Sequence, residues 1–156
     1  MTPTIHASNL IGLTRSECYS LDTLMANDFS ISNAQLMELV SFRISCLIHR
    51  LFTNKKTVFI SYGKGNNGAD ALVVASYLFY LGYDITIGST YCENELSNLT
   101  KFHFRFLNSK NINILDMTKD PTLFKFDLII DGILGIGCNR ELDYKSSSMT
   151  RFINSF

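Results

Sequence analysis

Basic stretches and paired cysteines are missing from this sequence. Its 14 basic and 14 acidic residues give a formal net charge of zero, and no segment is rich in lysine and arginine. Nucleic-acid binding, which depends on such a basic surface, is therefore not expected. The four cysteines form no C-x-x-C pair, and the three histidines are not spaced to complete a metal site with them. We therefore expect no zinc site, no disulfide framework and a reducing compartment.

Long apolar runs are missing as well. No segment approaches the roughly 18 apolar residues that a membrane-spanning helix needs, and the opening M-T-P-T-I-H lacks the basic and apolar regions of a signal peptide. We expect a cytoplasmic protein that binds no membrane. Its 46% hydrophobic and 18% charged residues are typical of a globular domain. The length of 156 residues suits a single domain over 1–156.

Strand and helix signals alternate after two leading helices. The predicted helices are 14–26, 32–52, 69–81, 93–108 and 149–156, and the predicted strands are 57–62, 84–88, 112–115 and 126–131. Segment 93–108 also alternates like a strand, but a helix there completes a βαβ unit with the usual right-handed crossover. We predict an α/β fold: a three-layer, Rossmann-like, doubly wound parallel sheet with strand order 3-2-1-4.

The winding of this sheet reverses between its first and fourth strands, so the loops at 63–70 and 131–141 face each other and a ligand crevice is expected between them. Residues 63–68 read G-K-G-N-N-G between a strand and a helix. This pattern is typical of phosphate-binding turns, and a tight turn without a ligand is the alternative. A dehydrogenase is disfavoured because strand two ends without an acidic residue to hold the ribose, and Asp84 lies at its opposite end.

Four polar residues in these loops carry candidate chemistry. Asn66 and Asn67 offer amide oxygens to a hard cation or a ligand, or they serve the turn alone. Asp70 either complements the helix dipole or contacts the ligand. Asp131 ends an apolar strand beside Asn67, where it suits a cation or a substrate, or caps the loop. The stretch 135–137 reads G-I-G, which allows a ligand phosphate to approach the backbone.

Together these residues resemble the N-terminal-type YjeF domain of the NAD(P)H-hydrate epimerase family. That family's first signature is G-x-G-N-N-G-G-D-G-L, and 63–72 reads G-K-G-N-N-G-A-D-A-L. Its second signature is D-A-L-F-G-T-G followed by a basic residue, and 131–137 reads D-G-I-L-G-I-G with Arg140 after it. A leucine-methionine-glutamate run in the leading helices is matched at 36–38. The resemblance covers about 16–156.

The resemblance implies an enzyme that interconverts the R and S hydrates of NADH and NADPH for repair by a separate dehydratase. It implies a potassium ion held by Asn67 and Asp131. The implied substrate-binding residues are Asn66, Asn67, Gly68, Ala69, Asp70, Gly135, Ile136, Gly137, Cys138, Asn139, Arg140 and Glu141. Epimerisation moves protons, so a carboxylate in the crevice is expected to be catalytic, and Asp131 is the candidate.

Some positions depart from the family's pattern. Ala69 and Ala71 stand at two of its glycines, and Ile136 stands at its threonine. The family continues to a strand ending V-D-x-P-S-G, whereas this sequence stops at Phe156. On that ground we expect strand four to be a sheet edge, and the chain to form a homodimer or to pair with a chain carrying the missing strands. A non-catalytic nucleotide-binding or protein-interaction module, or an inactive remnant, are the alternatives.

Overall fold

The computed structural model describes residues 12–54, 56–139 and 141–156. Its helices and strands follow one another in the order α1 (Arg15–Asn27), α2 (Asn33–Leu51), β1 (Thr57–Tyr62), α3 (Asn66–Tyr80), β2 (Asp84–Gly88), α4 (Asn98–Ser109), β3 (Asn113–Leu115), β4 (Leu128–Gly132) and α5 (Tyr144–Ile153). Short 3-10 turns lie at Glu93–Glu95 and Pro121–Leu123. In the described ranges, no helix combines the length and the apolar character needed to cross a bilayer.

The four strands form one parallel sheet in the order β3-β2-β1-β4, which confirms the predicted order and the doubly wound fold. Strand β1 is central and buried on both faces. Val58 and Ile60 pack in one apolar cluster with Leu72 of α3, whereas Phe59 points to a second cluster that includes Phe152 of α5. Helices therefore cover both faces of the sheet, as the three-layer prediction requires. Strand β4 lies at one edge.

The bounds of three predicted helices are corrected by the structure. Helix α3 begins at Asn66 rather than at 69, so the double asparagine belongs to its first turn and not to the preceding loop. Helix α5 begins at Tyr144 rather than at 149, because the Asp143 side chain caps it. The predicted helix over 93–108 is confined to α4, since Ser97 caps a separate helix start there.

Helix α2 buries Met37 and two small polar residues, whereas most of its apolar stripe is not buried. Ser41 and Ser45 are fully buried against α3. The Ser41 hydroxyl donates to the carbonyl of Asp70 at 3.2 Å, and the Ser45 hydroxyl donates to the carbonyl of Ser41 at 2.8 Å. Val40 and Leu47, whose helical spacing supports the helix prediction, are 44% and 50% exposed. The periodicity therefore identifies the helix but not the face that packs.

Candidate functional site

A cleft of about 940 Å³ opens at the carboxyl ends of β1 and β4, where the strand order reverses. Its walls come from α1, from the turn after β1 with the start of α3, from the segment after β2 and from the loop after β4. The lining residues are Tyr19, Asp22, Lys64, Gly65, Asn66, Asn67, Asp70, Tyr91, Ile133, Leu134, Gly135, Ile136, Gly137 and Cys138. The two glycine-bearing loops that were predicted to face each other do so.

Two glycines lie in close backbone contact at the turn after β1. A Cβ atom on Gly63 would lie 1.9 Å from the carbonyl oxygen of Ile133, and one on Gly68 would lie 2.0 Å from the carbonyl oxygen of Gly63. Neither position accepts a side chain unless the backbone moves. Gly68 and Ala69 were predicted to line the ligand, but both are buried and absent from the cleft lining. Ala69 packs in a small cluster with Met37.

The amino end of α3 has no side-chain cap. Gly65 occupies the cap position, whereas side chains cap the other four α-helices. The first N–H groups of a helix have no partner within the helix, and the helix dipole adds about half a positive charge there. Asn66 is exposed in this first turn and lines the cleft. This end of the cleft therefore suits a phosphate group.

The Asn67 side chain links the first turn of α3 to the loop after β4. Its Nδ2 donates to the carbonyl of Leu134 at 3.1 Å, and a Cβ atom on Gly135 would lie 3.1 Å from the Asn67 Cβ. A side chain at 135 would therefore be in tight contact with Asn67, which would have to shift by a few tenths of an ångström. The Oδ1 atom of Asn67 makes no hydrogen bond within the described ranges, which leaves an amide oxygen available to a ligand.

Asp131 is exposed and lies outside the cleft lining. Its Oδ1 accepts a hydrogen bond from the N–H of Ile133 at 2.9 Å, and Oδ2 has no partner among the described residues. A carboxylate oxygen and an amide oxygen are ligands that a hard cation prefers, so the donor types of Asp131 and Asn67 fit potassium. No group of three or more histidine, cysteine, aspartate or glutamate residues suited to a metal occurs in the described part.

Asp70 is the partly buried carboxyl group of the cleft. Burial raises the pKa of Asp70 from 3.8 to about 6, and the negative charge of Asp22 adds to the rise. Its carboxyl oxygens make no hydrogen bond to the described residues. At neutral pH such a group exchanges a proton more readily than an ordinary aspartate, which is the property that a general acid or base needs.

Tyr91 closes the cleft at the end of β2. Its hydroxyl lies 2.9 Å from Oδ1 of Asp143 and 2.8 Å from the Ser146 hydroxyl, which fixes the ring to the start of α5. The Nζ atoms of Lys64 and Lys145 each lie 5.4 Å from the centre of this ring. Lys145 also pairs with Glu95, whereas Lys64 makes no ion pair in the part of the chain that is described. Lys64 therefore brings an uncompensated positive charge to the cleft.

Five residues of the cleft lining are not predicted from the sequence: Tyr19, Asp22, Tyr91, Ile133 and Leu134. The first two belong to α1, which reaches the loop after β4 through Arg15, whose side chain donates to the carbonyl of Gly137 at 3.4 Å. No local pattern in α1 marks these side chains as cleft residues, because only the packing of α1 brings them there. Of the other predicted residues, Gly135, Ile136, Gly137 and Cys138 line the cleft, Asn139 and Glu141 do not, and Arg140 lies outside the described residues.

Comparison with known proteins gives a consistent picture. The family described as YjeF-related protein N-terminus matches residues 33–156. The bifunctional NAD(P)H-hydrate repair enzyme Nnr of Dictyoglomus turgidum is 35% identical over 148 residues, which cover 92% of this chain and 28% of the relative. The NAD(P)H-hydrate epimerase of Plasmodium vivax is 30% identical over 132 residues, which cover 83% of this chain and 45% of the relative. The chain thus spans less than half the length of these two relatives.

A solved structure supports the fold independently. The crystal structure of a yeast protein superposes with a TM-score of 0.78 at 24% sequence identity, and the match covers 94% of this chain and 65% of the yeast chain. At this identity the likeness establishes the architecture alone.

Proposed function

The chain belongs to the family of YjeF-related protein N-terminal domains, and from this premise we propose that it epimerises the R and S hydrates of NADH and NADPH. Two relatives that match it over most of its length carry the names NAD(P)H-hydrate repair enzyme and NAD(P)H-hydrate epimerase. The observation that carries the proposal is a single cleft that joins an uncapped helix amino end to a partly buried carboxyl group with a raised pKa.

The two ends of this cleft suit the two ends of such a substrate. The N–H groups at the start of α3 and the ammonium group of Lys64 favour the pyrophosphate. Asp70 lies on the same helix one turn further on, and it lines the same cleft. We place the hydrated nicotinamide ring at Asp70, so that the charged and the reacting parts of the substrate bind to consecutive turns of α3.

Epimerisation of the hydrate needs one group that takes up a proton and returns it. Hydration places a hydroxyl on the ring carbon beside the ring nitrogen. When the Asp70 carboxylate removes the hydroxyl proton, the carbon–nitrogen bond can break to give an aldehyde, and the nitrogen takes a proton back from the carboxyl group. Rotation and ring closure on the other face give the epimer, with no net change in protons. A pKa of about 6 suits both transfers.

Asp131 keeps a separate proposed role. With Asn67 it would hold potassium, through the carboxylate oxygen and the amide oxygen that have no partner in the described ranges. The bound ion would supply positive charge beside the anionic substrate. The prediction that Asp131 itself transfers protons stays a prediction, and Asp70 competes with it because Asp70 lines the cleft.

A coupled assay with variants separates these roles. The protein is mixed with the R hydrate, potassium and a dehydratase specific for the S hydrate, and consumption of the R form is followed. We expect acceleration over the spontaneous rate, a loss of about 10²–10⁴-fold in kcat for Asp70→Asn, and weaker potassium dependence for Asp131→Asn. Asp84→Asn, at the opposite end of β2, is the matched control. Binding of NADPH without any acceleration would instead identify a non-catalytic module.

Three wider features belong to the same proposal. We propose a homodimer, supported by the exposed apolar side chains of α2 and by the position of β4 at the sheet edge. We propose a cytoplasmic location, where the substrate cofactors are abundant and the four cysteines stay reduced. We propose potassium as the cation. Light scattering, cell fractionation and activity without potassium test the three features in turn.

A further inference from the structure

The buried hydroxyl of Thr100 contacts the glycine-rich turn from behind. Thr100 lies in the first turn of α4, is fully buried and is absent from the cleft lining. Its Oγ1 lies 3.2 Å from the carbonyl oxygen of Lys64, 3.0 Å from that of Gly65 and 2.8 Å from the Ser97 hydroxyl. A hydroxyl has one proton. The two carbonyls therefore share the proton of Thr100, while Ser97 donates its own to Thr100.

The same two carbonyls receive further hydrogen bonds. The N–H of Ser97 donates to the carbonyl of Lys64 at 2.9 Å, and the N–H of Ala69 donates to the carbonyl of Gly65 at 3.2 Å. The start of α4 therefore holds both carbonyls of the turn on its own side. Thr100 is the one described residue whose side chain contacts both of them.

Peptide geometry carries this constraint to the cleft. In a planar trans peptide the C=O and N–H groups point in opposite directions. Fixing the carbonyls of Lys64 and Gly65 toward Thr100 therefore fixes the N–H groups of Gly65 and Asn66 away from it. Both of these residues line the cleft. Gly65 itself offers little resistance to rotation, because it has no side chain and nothing lies within 4 Å of the place where its Cβ would be.

We propose that Thr100 is a positioning residue that orients the N–H groups of Gly65 and Asn66 for the phosphates of a dinucleotide. The ligand class rests on the proposed function. The role of Thr100 in orienting these two N–H groups requires only that an anion binds at the start of α3. A residue that served stability alone would lower the melting temperature without changing the affinity of the folded protein.

Isosteric substitution tests this role. Thr100→Val keeps the shape and removes the hydroxyl, whereas Thr100→Ser keeps the hydroxyl. The Kd for NADPH is measured by calorimetry, and kcat and KM are measured with the R hydrate. We expect Thr100→Val to raise both the Kd and KM about tenfold, since two oriented donors are loosened, with kcat within about threefold. Thr100→Ser should restore wild-type values. Ser45→Ala removes an equally buried hydroxyl of α2, away from the cleft, and should change neither constant.

The outcomes separate the two proposals. Unchanged Kd and KM in folded Thr100→Val, or equal losses in Thr100→Ser, would overturn the positioning role, and so would a wild-type chain that does not bind NADPH. If the wild type binds NADPH without epimerising the hydrate, and Thr100→Val weakens that binding, positioning stands and the proposed function fails. Should Thr100→Val not fold, Thr100→Ala, which also removes the hydroxyl, takes its place and should raise the Kd by a similar factor, whereas an unchanged Kd in that variant contradicts the proposal.

Discussion

Replacing Asp22 by asparagine should change the pH dependence of the reaction without removing a reacting group. Two causes raise the pKa of Asp70 from 3.8 to about 6: burial, which is the larger, and the charge of Asp22. The substitution removes the second cause alone. The pKa of Asp70 should therefore fall by less than half of that interval and stay above its ordinary value.

The direction of the expected pH shift follows from the protonation state of Asp70 that the proposed reaction needs. In the proposed reaction, proton removal from the hydrate requires ionised Asp70, so kcat/KM of the wild type should rise with pH through a midpoint near 6. In Asp22→Asn the midpoint moves to lower pH, and the variant should retain a larger share of its maximal kcat/KM at pH 5 than the wild type does. Lys64 lines the same cleft and is unchanged in both proteins.

The assay is a pH–rate profile of kcat/KM, corrected at each pH for the spontaneous reaction. Asp28→Asn is the matched control, since Asp28 follows α1 as its C-cap and lies outside the cleft. Titration of the Asp70 carboxyl by carbon-13 NMR gives the pKa directly. A midpoint that stays in place or moves to higher pH in Asp22→Asn would refute the electrostatic coupling between the two carboxyl groups.

Three further predictions concern stability. Because folding raises the pKa of Asp70, this group stabilises the folded state fully below about pH 3.8, and the effect is lost as the pH rises through about 6. The free energy of unfolding should therefore fall across that range in the wild type and fall less in Asp70→Asn. Urea titrations at several pH values measure this difference. Gly63→Ala places a Cβ 1.9 Å from the carbonyl oxygen of Ile133, whereas Gly65→Ala meets nothing within 4 Å. Chemical denaturation should show that the free energy of unfolding falls by about 3 kcal/mol or more in the first variant and by under about 1 kcal/mol in the second. Similar losses in the two variants would contradict the described contact. The buried Ser61 hydroxyl has no hydrogen-bond partner among the described residues. Ser61→Ala should therefore leave the melting temperature unchanged or raise it, and a clear decrease would mean that the hydroxyl is satisfied.

The sheet could be predicted because each of its determinants is local. Apolar strands at 57–62 and 126–131 and the glycine turns after them are visible in the sequence, and the crossover rule then places their loops together. The family was identified from the same turns, and the comparisons confirm it. The start of α3 was predicted three residues late, because the asparagines that favour turns here form the first turn of the helix.

The features of the site that could not be predicted from the sequence depend on tertiary packing. Asp22 and Tyr19 reach the cleft only because α1 lies against the loop after β4, and nothing in their own segment marks them. Likewise, Thr100 reads as an ordinary helix residue until α4 packs behind the glycine-rich turn. Asp70 was identified as a candidate ligand contact, but its burial, and hence its raised pKa, could not be inferred from sequence spacing.

The proposed epimerisation can be followed on the two epimers themselves, without a coupling enzyme. Purified R hydrate of NADPH is added to the chain in potassium buffer, and the R and S signals are followed by proton NMR. We expect the S hydrate to appear faster than in buffer alone and to reach the same equilibrium ratio, and we expect Asp70→Asn to lower the protein-dependent rate by about 10²–10⁴-fold. Interconversion at the buffer rate with the wild-type protein, when NADPH is bound, would contradict the proposed epimerisation.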